Sequence, residues 1–130
     1  MNWHPSQKEY EGVVRLSGEP RYKHFIKKIV DEEQLWGLWQ NGWAMAGDDT
    51  GKQFIPVWPH PIYAEACALD SWKDHQPRSI TLTNWLNKWI PGMQKDGLGI
   101  AVFPTYKGNG VIVSAKELEL DIRAELEWYE

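Results

Sequence analysis

One stretch of the chain gathers residue types that do chemistry. In QFIPVWPHPIYAEACAL, residues 53–69, an imidazole, His60, stands between Pro59 and Pro61, and a thiol, Cys67, follows seven residues later. A proline directly after His60 places the imidazole at the mouth of a helix. Free backbone N–H groups and the positive end of the helix dipole favour an anion there. A neutral imidazole in that position can act as a base, as a cap, or as part of a cradle for a carboxylate or phosphate. The two groups do not make a nucleophile and base pair, because two helical turns put them about 10 Å apart. Cys67 also has Tyr63, Ala64, Ala66 and Ala68 as neighbours, which suits a buried, inert thiol. The plain structural alternative for His60 is a cap at a corner fixed by two prolines.

Asp48 and Asp49 are the next candidates, because Asp49-Thr50-Gly51 has the tripeptide form of an aspartic protease carboxylate. That chemistry needs two carboxylates sharing a proton in a dry site. Here the tripeptide lies between Gly47-Asp48 and Lys52-Gln53, the composition of a solvated turn. Metal ligation has no support: His4, His24, His60, His75 and Cys67 show no H-x-x-x-H or C-x-x-C spacing. TYKGNG, residues 105–110, has glycines but not the lysine and hydroxyl residue of a phosphate loop, and reads as a hairpin turn. No catalytic residue, metal or cofactor is assigned.

The elements that must position these groups follow from capping and periodicity. Ser6 and Glu9 form a capping box for a helix over 7–16 that ends before Gly18. A second helix starts near Pro20, with Tyr22, Phe25, Ile26, Ile29 and Val30 on one face and a basic set, Arg21, Lys23, His24, Lys27 and Lys28, as a solvated face or a surface for an acidic partner. Asn41-Gly42 predicts a two-residue type I′ hairpin, which pairs Gln40 with Trp43, Trp39 with Ala44, and Trp36 with Gly47. Both faces of that hairpin are mostly apolar, so it needs cover on both sides or presents a binding surface on one. A third strand covers 53–58, a helix 61–69, and a short helical turn lies near Ser71. Next come a short extended piece, a helix over 84–90 capped by Thr83 and broken by Pro91-Gly92, and two antiparallel strands over 98–103 and 110–113. A last helix opens on a Ser114/Glu117 capping box and buries Leu118, Ile122, Leu126 and Tyr129. The expected fold is α+β: a mainly antiparallel sheet of about five strands with helices packed against it, in a single domain over 1–130.

Composition narrows function. A 130-residue chain with nine tryptophans can build a core without staples, and its single cysteine forms no internal disulfide. The start, MNWHPSQKEY, has no signal-peptide pattern, and no apolar run approaches the ~18 residues that span a bilayer, so the expectation is a cytoplasmic protein without membrane attachment. A net charge of -4 gives no general attraction to nucleic acid.

The order of several motifs resembles one bacterial family. GW, GDD, a proline-bounded VWPHP followed by YAEAC, the run with Trp72, Gln76-Pro77, Ser79-Ile80, Trp85-Leu86 and Trp89, and the later AVFP together resemble the family called domain of unknown function 2750. Ile55 stands between Phe54 and Pro56 where aromatic and proline are expected to be adjacent. The resemblance implies a small bacterial protein and carries no residue roles. The PVW junction is also similar to SseB-like N-terminal domains and to some immunity proteins of toxin systems.

Three readings of function follow. The leading one is a non-catalytic module that binds another protein through an aromatic surface around Trp36, Trp43, Trp58, His60, Tyr63 and Trp72, in regulation or toxin neutralisation. The second is a small-ligand or anion site at the Pro59-His60-Pro61 helix mouth. The third is an enzyme that uses His60 with Asp48 or Asp49, which must then lie within hydrogen-bond reach. An uncapped sheet edge leaves pairing between two copies open.

Overall fold

The computed structural model describes residues 3–106, 108 and 110–128. Helix α1 (Gln7–Val14) starts where Ser6 accepts a hydrogen bond from the Glu9 amide. Only half of the expected capping box forms, because the Glu9 carboxylate accepts instead from the Trp3 indole N–H at 3.1 Å. Helix α2 (Gly18–Glu32) buries Phe25, Ile26, Ile29 and Val30, the expected stripe. Arg21, read from sequence as part of a basic face, is buried: its Nε donates to the Phe103 carbonyl at 2.9 Å and its Nη1 to the Leu16 carbonyl at 2.7 Å.

The strands form two ladders. β1 (Gln34–Trp39) pairs antiparallel with β4 (Gln76–Thr81). The other ladder runs β2 (Ala46–Gly47), β3 (Gln53–Val57), β5 (Gly99–Val102), β6 (Val111–Val113), antiparallel except for the central β3/β5 pair, which is parallel. Trp36 and Trp58 join the ladders by exchanging two backbone hydrogen bonds of 2.8 Å. The α+β class and mainly antiparallel pairing thus hold, with six strands among the described residues rather than five. The parallel pair is legible in composition, since Phe54 to Val57 and Gly99 to Val102 are buried throughout, as a strand covered on both faces requires. Pro56 is tolerated because the pairing with β2 reaches no further than Ala46, opposite Phe54, and asks no donor of it.

The Asn41-Gly42 hairpin needs correcting. The turn exists, with Asn41 in the left-handed region (φ 55°), but it closes on a Trp39–Trp43 bridge, one residue out of the expected register. The ladder stops there: β4 holds one edge of β1 throughout, and on the hairpin's own edge Trp58 takes Trp36. Trp43 instead folds onto Gly37, and the chain continues to β2 against β3.

Pro91-Gly92 does not end its helix either. Thr81, not Thr83, caps α4 (Leu82–Asn84); a π-helical stretch (Trp85–Trp89) and α5 (Ile90–Asp96) follow without a break. In the widened turn the Ile90 amide reaches back to the Trp85 carbonyl, and the N–H that Pro91 lacks is not needed. Gly97 (φ 68°) ends α5. Two further helices complete the chain. α3 (Pro61–Ala66) follows β3 and is shorter than its expected 61–69 span, with a 3₁₀ turn (Asp70–Trp72) after it. α6 (Ala115–Glu127) starts on the complete Ser114/Glu117 capping box and buries Leu118 and Ile122; Tyr129, expected in the same stripe, lies outside the described residues.

Strand alternation then divides the four-stranded ladder into two faces. Ile55, Val57, Ile100 and Val102 belong to the core with the helix stripes, whereas Phe54, Pro56, Ala101 and Ile112 point the other way. A methyl group at Gly37 would lie 2.9 Å from Trp43 Cε3. Gly37→Ala is therefore expected to cost about 1–3 kcal/mol in urea unfolding, and to cost nearly nothing in a Trp43→Ala background.

Candidate functional site

The corner that opens α3 is sealed. Trp58 is fully buried, and His60 and Tyr63 are 3% and 2% exposed. His60 is the N-cap of α3, its Nδ1 accepting from the Ile62 amide at 3.1 Å. Trp3 and His4 pack edge-on against its ring, with centroids 5.1 and 5.2 Å away, and Tyr10 stacks on Tyr63 at 5.3 Å. Burial first, then the neighbouring His4, holds the His60 pKa below the ordinary histidine value. Trp58, expected to be partly exposed, is instead in the core, and with His60 and Tyr63 buried beside it no open helix mouth is left for an anion.

Neither aspartate is joined to His60. Asp48 Oδ1 accepts from the Thr50 amide, the Thr50 hydroxyl and the Lys52 amide, which closes the β2–β3 turn and, led by the Thr50 hydroxyl, lowers the carboxyl pKa. Asp49 is exposed in the same turn. Among the described residues no three His, Cys, Asp or Glu side chains converge as metal ligands, and no helix is long and apolar enough to cross a membrane.

Open space lies on the other face of the sheet. A hollow of about 350 Å³ rests on Phe54, Pro56, Ala101 and Ile112 and is walled by Trp72, Pro104 and Asp48. It meets a second hollow of about 630 Å³ at Ala46, Gly47, Trp72 and Pro104, which runs on to Met45, Leu69, Asp70 and Tyr106. Three of the large apolar side chains most exposed on the molecule border this groove: Leu69 at 55%, Tyr106 at 52% and Ile112 at 51%.

The groove owes its shape to two unusual backbone positions. Phe103 leaves β5 with φ 54°, a left-handed conformation that a bulky residue rarely takes. It is held there by the hydrogen bond its N–H donates to the Val57 carbonyl (2.8 Å), by the buried Arg21 on its own carbonyl, and by Tyr63 packed at 4.8 Å. The turn carries Pro104 over the outer face, where its carbonyl accepts from Trp58 Nε1 at 2.8 Å and from Cys67 Sγ at 3.4 Å. Asp70 (φ 52°) makes a similar turn on the opposite wall, so that Trp72 meets Trp58 edge-on at 6.3 Å. Asp tolerates this conformation better than Phe does.

Of the residues singled out from sequence, Trp72 and Asp48 line the groove and Trp58 supports it from behind. Trp43 belongs to a separate ladder, packed against Trp39 and Trp89 at 5.1 Å each, with the Arg78 guanidinium 4.3 Å from the Trp39 ring. Trp36 is half-buried on β1 with its indole N–H unpartnered. Leu69, Tyr106, Ile112, Phe54 and Ala101 were not singled out. The signal that could have found them is the doubly apolar FIPV and GIAV strands, which require cover on a face that no helix supplies.

Cys67 borders the larger hollow but is buried, and desolvation pushes its thiol pKa up from 9.0 to about 11. A family model described as "Protein of unknown function (DUF2750)" matches residues 22–122, which include all six strands and leave α1 and the segment before it outside. No curated protein and no solved structure matches the chain, so the likeness to SseB-like and immunity proteins has no match behind it. A pKa two units high lowers the thiolate population about 100-fold near pH 8. Iodoacetamide is expected to alkylate Cys67 on the order of 100-fold more slowly in the folded protein than in urea, as read by mass spectrometry.

Proposed function

The chain belongs to the DUF2750 family, and from the geometry of its outer sheet face we propose that it is a non-catalytic module that binds another polypeptide. One observation carries the reading: the outer face is apolar and bears an open groove along which Leu69, Tyr106 and Ile112 are exposed, although Phe54, Pro56 and Ala101 at its floor are buried. A sheet face left to solvent ordinarily alternates to polar residues, yet the row across β3, β5 and β6 is Pro56, Ala101 and Ile112. Leu69, Trp72 and Tyr106 extend it along the groove. Contiguous exposed apolar surface of this kind marks interaction sites.

Magnitudes say what the partner must supply. Covering the open half of Leu69, Tyr106 and Ile112 contributes about 1 kcal/mol each. Association costs at least ~4 kcal/mol in lost freedom, so the partner also has to reach Trp72 and hydrogen-bond at the rim. Aromatic and apolar anchors inside a polar rim fit that requirement, and the rim here includes Asp48, Asp70 and Thr105. A catalytic reading lacks support of the same kind, since the imidazole that suggested it spends its lone pair on a helix cap.

Ile112→Lys and Leu69→Lys remove the apolar surface without touching the core. Each is expected to leave stability within about 0.5 kcal/mol of the parent. In size-exclusion chromatography of lysate from the source cells, the tagged parent chain is expected to elute in a larger complex, and both variants at the size of the free chain. Leu120→Lys, at an exposed position on α6, serves as control and should behave as the parent. Identical elution of the parent and both groove variants would refute the assignment.

A further inference from the structure

The sealed corner of α3 has an unusual seal. Over Tyr63 it is Tyr10 of α1, and over His60 it is Trp3 and His4, from residues 3–5, which carry no regular secondary structure and precede α1. Trp3 is the anchor and is held from several sides: its indole N–H donates to Glu9, the Lys28 ammonium lies 4.5 Å from its ring centroid, and the rings of His60 and His24 meet it at 5.1 and 6.1 Å. His4 adds a third imidazole, 5.2 Å from His60. His24 and His60 therefore flank one short segment that itself carries a third imidazole, His4.

We propose that residues 3–5 are an acid-released cover, shut over His60 and His24 while those two are neutral and lifted when they take up protons.

The geometry gives each histidine a reason to refuse a proton while covered. His60 Nδ1 uses its lone pair on the Ile62 amide, so that a proton on Nδ1 breaks the cap of α3; the backbone hydrogen bond between its ring and Trp3 acts the other way and favours the charged form. His24 has a buried Nε2 without a partner, so an imidazolium there would hold an unpaired N–H in a dry site. The charged neighbours mostly oppose protonation too: Lys27 and Lys28 face His24 from its own helix, and His4 faces His60. Glu9 on α1 is the one acid facing both rings and favours their charged forms, while Tyr10 and Tyr63 are neutral, each with its pKa raised. Lys28 already occupies the indole face, so an imidazolium beside Trp3 meets a cation as well as a π-system.

Burial leads the causes that lower both imidazole pKa values, and Trp3 packs against both rings, so lifting it lessens that burial. The covered state consequently binds fewer protons than the lifted one, and acid shifts the equilibrium toward lifting. Because the covered pKa values lie below the ordinary histidine value of about 6.5, the cover stays shut at neutral pH. This inference does not depend on the outer-face groove.

The test follows the indole N–H signals of the whole chain by ¹⁵N NMR from about pH 7.5 to about pH 4.5. Trp3→Ala identifies the Trp3 signal, and Trp58→Phe and Trp85→Phe identify two core reporters. The expected result is that Trp3 alone moves to its solvent-exposed position, with a midpoint matching the ring titration of His24 or His60 rather than that of His75, while Trp58 and Trp85 stay dispersed. In His24→Gln combined with His60→Asn, where Asn keeps the capping acceptor but does not titrate, the Trp3 signal should hold its covered position throughout. A Trp3 signal that never moves, that moves only when Trp58 and Trp85 collapse, or that moves at the same pH in the double variant would each overturn the proposal. Should the double variant fail to fold, the match of midpoints in the parent chain decides.

Discussion

The indole of Trp58 is the interaction on which the rest of the structure depends. Its backbone exchanges both hydrogen bonds with Trp36 and so joins the two ladders. Its fully buried side chain donates to the Pro104 carbonyl, which fixes the loop after β5. A buried indole N–H without a partner costs about 1–3 kcal/mol, so the loop cannot leave without exacting that cost. One residue thereby sets the sheet continuity, the start of α3 and the near wall of the outer groove.

From that constraint the two sides of the molecule acquire different characters. On the helix side, α2, α6 and the inner residues of β3 and β5 close around a core that includes the rings of Phe25, Trp85 and Phe103. On the outer side, Phe103 and Asp70 bend the chain through left-handed positions and lift Pro104 and Trp72 above the sheet without closing over it. Backbone strain of this type costs on the order of 1–3 kcal/mol per residue and persists where surrounding contacts over-determine it. Arg21, buried and bonded to the Phe103 carbonyl, is one such contact. The strain lies beside the open groove, where a binding surface needs rigid walls.

Legibility in the sequence followed the range of the interactions. Ser114/Glu117, the stripe of α2 and the Pro61 start of α3 are set within one or two helical turns, and capping and periodicity reveal them. The Asn41-Gly42 turn was legible as a turn, but its ladder was not, because Trp58, beyond the β2–β3 turn, takes the same edge of β1 at Trp36. Pro91 misled for a different reason: a π-helical turn absorbs its missing donor, and no residue pattern announced that turn. The site was hardest to read. His60 had the right chemistry for a site in sequence, yet Trp3 and His4 cover it in space, whereas Leu69, Tyr106 and Ile112 look like ordinary core residues until the sheet shows which way they face.

The account turns on whether the outer sheet face, rather than the Pro-His-Pro corner, meets another polypeptide. The most direct measurement places a photo-crosslinking amino acid at position 112 in living source cells, with position 120 on α6 and position 62 on α3 as references. The account predicts a discrete protein adduct from position 112 and none from positions 120 or 62. An adduct from position 62 alone, or equal adducts from all three positions, would contradict it.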